Sequence, residues 1–183
     1  NSITAYVVPT NFLKYHGLAV GGKNAASAEG QDLTLSGIIS GTGGVIKVGT
    51  STVIFTGNNT YSGGTMVTGG TLLVNNTAGS GTGTGLMEVY NGTLGGIGTI
   101  TGGVTFINTA AAILNPGAVG AAGTLTIGPL TLDNTSLLNF HIGTTTTSDK
   151  AVVSQGTGDL ILDGTINVTA AGDFAGNGVY TII

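Results

Sequence analysis

Between Asn58 and Asn76 the chain reads NNTYSGGTMVTGGTLLVNN, with glycine pairs at Gly63-Gly64 and Gly69-Gly70, each followed by Thr and an apolar residue. Only Thr65-Met66-Val67 and Thr71-Leu72-Leu73-Val74 are left to form regular structure between the turns. Runs this short cannot hold a helix, and as strands they must find partners far away in sequence. The same signal, Gly-Thr followed by an apolar residue, recurs at Gly64, Gly70, Gly92, Gly98, Gly123 and Gly164. Gly70 and Gly92 are 92 − 70 = 22 residues apart, and Gly98 and Gly123 are 123 − 98 = 25 apart. A period in the low twenties belongs to solenoids, and at about 22 residues per coil the chain makes roughly eight coils.

The segments between the glycines read as strands. Val53-Ile54-Phe55, Val104-Thr105-Phe106-Ile107, Leu125-Thr126-Ile127 and Leu160-Ile161-Leu162 are β-branched, aliphatic or aromatic, and most are bounded by Gly, Asn or Asp. In Leu138-Asn139-Phe140-His141-Ile142 the apolar members fall on one face, with Asn139 and His141 on the other. The best helical candidate, Ala110–Leu114, runs straight into Pro116 and has no sustained stripe. A sandwich would use longer strands and more large aromatics than the 5% present. Stacked coils of short parallel strands fit better, with glycine at tight corners and Thr and Asn laddering on the outside.

Composition removes several function classes. Of 183 residues 35 are Gly and only 7% are charged, with no Cys, and mean hydropathy is +0.42. Such a chain is too apolar for disorder and lacks collagen's triplet period. Four Lys, no Arg and a net charge of −4 exclude a basic surface for nucleic acid or anionic lipid. No apolar run reaches the ~20 residues of a membrane-spanning helix. The start at Asn1, with no charged and apolar leader, reads as a processed or trimmed polypeptide compatible with export.

The run VIKVGTSTVIFTGNNTYSGGTMVTGGTLLVNN resembles the autotransporter-associated β-strand repeat, with its Asn-Thr-Tyr-x-Gly-Gly-Thr turn and Gly-Thr-Leu strand. GLMEVYNGTLGGIGTITGGVTF, AAILNPGAVGAAGTLTIGPLTLDNTSLLNFHIG and SDKAVVSQGTGDLILDGTINVTAAGDFAGNGVYTII are similar to the coils that follow in bacterial autotransporter passengers. The resemblance covers about Leu33 to Ile183. It implies a right-handed parallel β-helix outside a bacterial cell, on its surface or extracellular. Two departures stand out: no closing set of amphipathic membrane strands, and an unmatched N-terminal stretch holding two of the four Lys, His16 and Pro9.

Catalytic chemistry finds little to work with. The acids are Glu29, Asp32, Glu88, Asp133, Asp149, Asp159, Asp163 and Asp173. Asp159 and Asp163 flank one strand and so lie at its opposite ends, where turn residues satisfying local backbone donors are the ordinary reading. Without Arg, and with Lys47 and Lys150 in plain strand or turn contexts, a lyase base lacks its cationic neighbour. His16 and His141 have no zinc-ligand spacing, and Gly95-Gly96-Ile97-Gly98-Thr99 lacks the Asp of a calcium-binding repeat. No P-loop or Gly-x-Ser-x-Gly elbow occurs. Asn58, Asn75, Asn91, Asn134 and Asn167 open Asn-x-Thr/Ser triplets that arise by chance in so Asn- and Thr-rich a chain. Tyr61 is expected to close its turn rather than serve, with Tyr90, as an exposed sugar platform.

The expectation is therefore an all-β chain: an N-terminal extension or cap over 1–32, then a single parallel β-solenoid over 33–183. It has no catalytic residue, cofactor or metal. Its role is structural: a bacterial surface subunit that assembles with itself head to tail into a filament or layer. The alternative is an adhesin passenger fragment that binds a glycan or host surface. Assembly would join the apolar run at Ile3, Ala5, Tyr6, Val7 and Val8, donated as a strand, to the uncharged end at Val179, Tyr180, Ile182 and Ile183.

Overall fold

The computed structural model describes residues 6–7, 17–20, 32–107, 112–117, 121–144, 147–154 and 160–170. Among them every regular element is a strand. Ala112–Pro116, which overlaps the stretch weighed for a helix (Ala110–Leu114), is one of them. The chain winds through two long faces and a shorter third. The first face holds β1 (Tyr6–Val7), β2 (Gly17–Val20), β4 (Gly44–Lys47), β6 (Thr65–Val67), β8 (Met87–Val89), β11 (Val104–Phe106), β14 (Leu130–Thr131) and β17 (Leu160–Ile161). The second holds β3 (Leu33–Leu35), β5 (Thr52–Phe55), β7 (Thr71–Val74), β9 (Gly92–Gly96), β12 (Ala112–Pro116), β15 (Leu137–Ile142) and β18 (Thr165–Ala170). The third holds β10 (Thr99–Ile100), β13 (Thr124–Ile127) and β16 (Lys150–Val153). From β2 onward strand neighbours come from successive coils and run parallel, so the fold is the parallel β-solenoid expected from the glycine pattern.

Alternation decides what each coil buries. On the second face Val53, Leu72, Leu94, Leu114 and Leu138 stack in register, and all are buried. On the first, Val45, Thr65, Met87, Val104 and Leu130 form the matching inner row. Each large aliphatic side chain in such a row contributes about 1.5–3 kcal/mol of burial. A narrow interior leaves few positions for aromatics, and Phe55, Phe106 and Phe140 fill theirs almost without exposure.

Coil length varies along the chain, from 27 residues between Gly17 and Gly44 to 17 between Met87 and Val104 and 28 between Leu137 and Thr165. Side-chain bonds between neighbouring coils span 20 residues at Ile39–Asn59, 22 at Asn59–Gly81, 26 at Gly123–Asp149 and 28 at Asn139–Asn167. In the shorter coils the third face is a ladder of single bonds rather than a sheet: Thr60 N to Ile39 O, Asn59 N to Ser80 O, Gly81 N to Thr99 O. Asn59 reinforces it, accepting from Ile39 N at 2.8 Å and donating to Gly81 O at 2.6 Å. The extra residues of the later coils supply the strands of the third face and the crossings between the second and third faces.

Corners demand glycine where two coils touch. Gly96 has φ 117°, and a Cβ there would lie 2.2 Å from Val74 O of the coil below. Gly70, at φ 66°, would press a Cβ within 2.6 Å of Ser51 O and of Lys47 Nζ. No side chain fits either place without moving backbone.

The N-terminal strands join this frame. Gly17–Val20, which carries no repeat motif, lies parallel on β4, and Tyr6–Val7 pairs antiparallel with Gly17–Val20 of its own chain.

Candidate functional site

Among the described residues, Asp32, Asp133, Asp149 and Asp163 each accept hydrogen bonds that hold turns or neighbouring coils. Asp163 is exposed and accepts from Gly164 N beside it, while Asp32 accepts from Thr52 N one coil on. Asp133 folds a turn around itself, with Oδ1 accepting from Thr135 N, Thr135 Oγ1 and Ser136 Oγ. Burial works against its charge, but those bonds outweigh it and hold the carboxyl below the usual range. Glu29, Asp159, Asp173 and His16 lie outside the described residues. Among the described residues no group of three or more His, Cys, Asp or Glu is placed to hold a metal ion.

Of the residues proposed for subunit contact, Tyr6 and Val7 form β1 on their own chain's β2. Ile3, Ala5, Val8, Val179, Tyr180, Ile182 and Ile183 lie outside the described residues. At the far end of the described solenoid, Ile161, Leu162, Ile166 and Val168 are about half exposed. Ile166 and Val168 continue the inner columns of Leu138 and Phe140, so their exposure follows from being on the last described rung.

Lys47 is not the plain strand residue its context suggests. It is fully buried, in register with Val20 and Val67 on the inner side of the first face. Its ammonium donates to Val48 O at 3.0 Å, Gly49 O at 3.2 Å and Gly69 O at 2.9 Å. Three donors meet three carbonyls, which explains how a lysine sits at a core position. Burial still pushes its pKa down to about 8. The signal was in the sequence: continuing the alternation from Val45 (in) and Ile46 (out) turns Lys47 inward.

Tyr61 does close its turn. It is 1% exposed and its hydroxyl bonds Thr65 Oγ1, the next Thr of the motif. Burial raises the phenol's pKa, against a smaller opposing effect of the Thr65 bond. The Asn-x-Thr/Ser asparagines have work of their own: Asn58 Oδ1 accepts from Ser80 N and Asn75 Oδ1 from Ile97 N, each one coil away.

Among the described residues, His141 and Asp149 form a side-chain pair with the look of chemistry. The carboxylate, 2% exposed, accepts from Gly123 N at 3.2 Å and His141 N at 2.9 Å, and lies 3.0 Å from His141 Nδ1. It ties together two crossings between the second and third faces, while the imidazole is 55% exposed on the outer surface. Alternation foretold the outward histidine, but nothing local foretold its partner. The two residues are eight apart, brought together by the path from β15 to β16. The bonds of the pair orient the ring and hold two loops together.

Comparison with known proteins agrees with this repeat-built frame. Residues 45–74 match the passenger-associated-transport-repeat, the span from β4 to the end of β7. The chain is 43% identical over 155 residues, 81% of its length, to a protein of Brucella suis biovar 1 (strain 1330) named adhesin BmaC autotransporter. The match spans only 4% of that relative's length. Repeat, fold and similarity converge: the chain is an autotransporter-passenger-like repeat protein of the cell surface or extracellular space.

Proposed function

We propose that this chain is a stretch of an adhesin passenger, a stiff rod at the cell surface that presents binding surfaces and catalyses nothing. The observation that carries the reading is the similarity to an adhesin across 81% of the chain. The geometry supports it. Stacked parallel rungs with a continuous aliphatic interior resist bending, and each coil contacts only its neighbours, so a rod can be extended without redesign. Acids spent on local turns support a role that does not depend on catalysis.

This reading is favoured over the head-to-tail filament. We read residues 1–32 as a cap on the solenoid of 33–183, and the pairing of β1 with β2 and of β2 with β4 within one chain supports that role over strand donation. The test is adhesion. Beads coated with the purified chain should bind cultured host cells more than beads coated with the same chain unfolded by heat. Equal binding by the two kinds of bead would refute the proposal.

A further inference from the structure

We propose that the outer surface of the second face around Asn139, His141, Asn167 and Thr169 is a binding site for a neutral carbohydrate chain. The inference rests on the adhesin reading and adds to it a ligand class and a location. Parallel pairing of β15 with β18 sets Asn139 beside Asn167 and His141 beside Thr169. All four face outward, because Leu138 and Phe140 between them point into the core.

The four side chains present a fixed order of donors and acceptors. Asn167 Nδ2 donates to Asn139 Oδ1 at 2.9 Å. That bond leaves the Asn139 amide N–H groups and the Asn167 carbonyl facing solvent. Asp149, whose carboxylate already accepts two backbone N–H groups, faces His141 Nδ1 at 3.0 Å. A carboxylate can only accept there, so Nδ1 carries a proton and the ring, half exposed, leaves Nε2 for a ligand. The Thr169 hydroxyl, exposed, completes the row and works either way. Adjacent rungs are about 4.8 Å apart, so the groups form a short grid of mixed polarity. At one edge Thr144 and Thr147, their hydroxyls bonded to each other at 2.8 Å, add a polar rim.

Such a grid suits a partner whose groups both donate and accept without charge, which describes sugar hydroxyls. An anionic chain fits worse: none of the four side chains is a lysine, and the Asp149 carboxylate stands against His141. The Asn–Asn bond and the Asp149 clamp fix the groups before a ligand arrives, which lowers the ordering cost of binding.

The test is retention of the purified chain on an array of glucose-, galactose- and mannose-terminated oligosaccharides beside sialylated and sulfated ones. Retention on the neutral set is expected. Asn167→Ala and Thr169→Ala should each weaken it at least tenfold with the melting temperature unchanged, since both side chains are exposed. Asp149→Asn should weaken it by releasing His141. No retention, retention on acidic sugars alone, or unchanged retention by Asn167→Ala and Thr169→Ala would overturn the site. Bead adhesion separates this failure from that of the wider reading. If Asn167→Ala beads bind cells as well as unaltered ones, the adhesin stands and the site falls. If sugar retention holds while unaltered beads do not bind, the site stands and the adhesin falls.

Discussion

Lys47 gives the fold a measurable pH dependence. Burial lowers its pKa from 10.5 to about 8. Below about pH 8 the amine is protonated in both folded and unfolded chains, and stability is flat with respect to this group. Between about 8 and 10.5 the folded chain has released the proton while the unfolded chain still holds it, so raising the pH favours folding. Above 10.5 both forms are neutral and the gain is complete. At about 1.4 kcal/mol per pH unit, the full shift corresponds to about 3 kcal/mol, of which about 2–3 are realised between pH 7 and pH 10. The carbonyl cage makes this a ceiling. Three acceptors match the ammonium's three donors, and the neutral amine, with two, leaves one carbonyl unpaired.

The perturbation is Lys47→Met, which keeps the stem and removes the titrating group. Urea unfolding followed by far-UV circular dichroism at pH 7, 8.5 and 10 gives the stability of both proteins. Tyr61 works the other way: its raised pKa means that stability is lost as pH rises past the ordinary tyrosine value of 10.0. That loss occurs in both proteins and cancels in the difference. The native chain should therefore gain on the variant between pH 7 and pH 10, by up to about 2–3 kcal/mol. Parallel curves would refute the reasoning and mean that the Lys47 amine is hydrated in the folded state.

Three further outcomes follow from the coil contacts. Gly96→Ala, which meets Val74 O at 2.2 Å and takes a left-handed φ, should cost about 3 kcal/mol or more in thermal unfolding, whereas Gly37→Ala, with nothing within 4 Å, should stay within about 0.5. Asn59→Ala removes the partners of Ile39 N and Gly81 O together and should cost about 2–3 kcal/mol, with faster amide exchange at Ile39 as its signature. Phe140→Ala, at a fully buried position, should cost about 3–5 kcal/mol by urea titration.

Much of the architecture was legible because the solenoid is written in local signals. Gly-Thr-apolar marks a corner and the strand after it, and alternation assigned Leu138, Phe140 and Ile142 to the inside and Asn139 and His141 to the outside, as found. The imperfect period, 22 in one place and 25 in another, follows because residues added at a corner lengthen a coil without breaking strand pairing. Function was less legible because its groups meet across coils. The Asn139–Asn167 bond joins residues 28 apart, and Asp149 reaches Gly123 over 26. No window of sequence shows such pairs until the coil length is known, and here it changes from coil to coil. Lys47 was misjudged for a different reason: a lysine reads as surface unless its inward register and the carbonyls of the next corner are considered together.

The change in coil length bears on where recognition can sit. In the shorter coils the residues from 39 to 99 along the third side are absorbed in bonds that hold the coil closed, with Asn59 and Asn76 buried in that task. Their side chains cannot be lent to a ligand without loosening the rod. In the longer coils a regular third sheet does the closing, through β10, β13 and β16. At the adjoining crossings the buried carboxylate of Asp149 ties two coils together, and the Thr144, Thr147 and Ser148 side chains bond within their own turn. Asn139, Asn167 and Thr169 stand in the strands of the second face beside these crossings: the Asn139–Asn167 bond is made at the outer surface, whereas removing Asn59 unpairs both Ile39 N and Gly81 O. A solenoid built this way can vary its outer surface where coils are long while conserving its closure where they are short. Substitutions around β15 and β18 should thus change binding with little effect on melting, and those around Asn59 should change melting first.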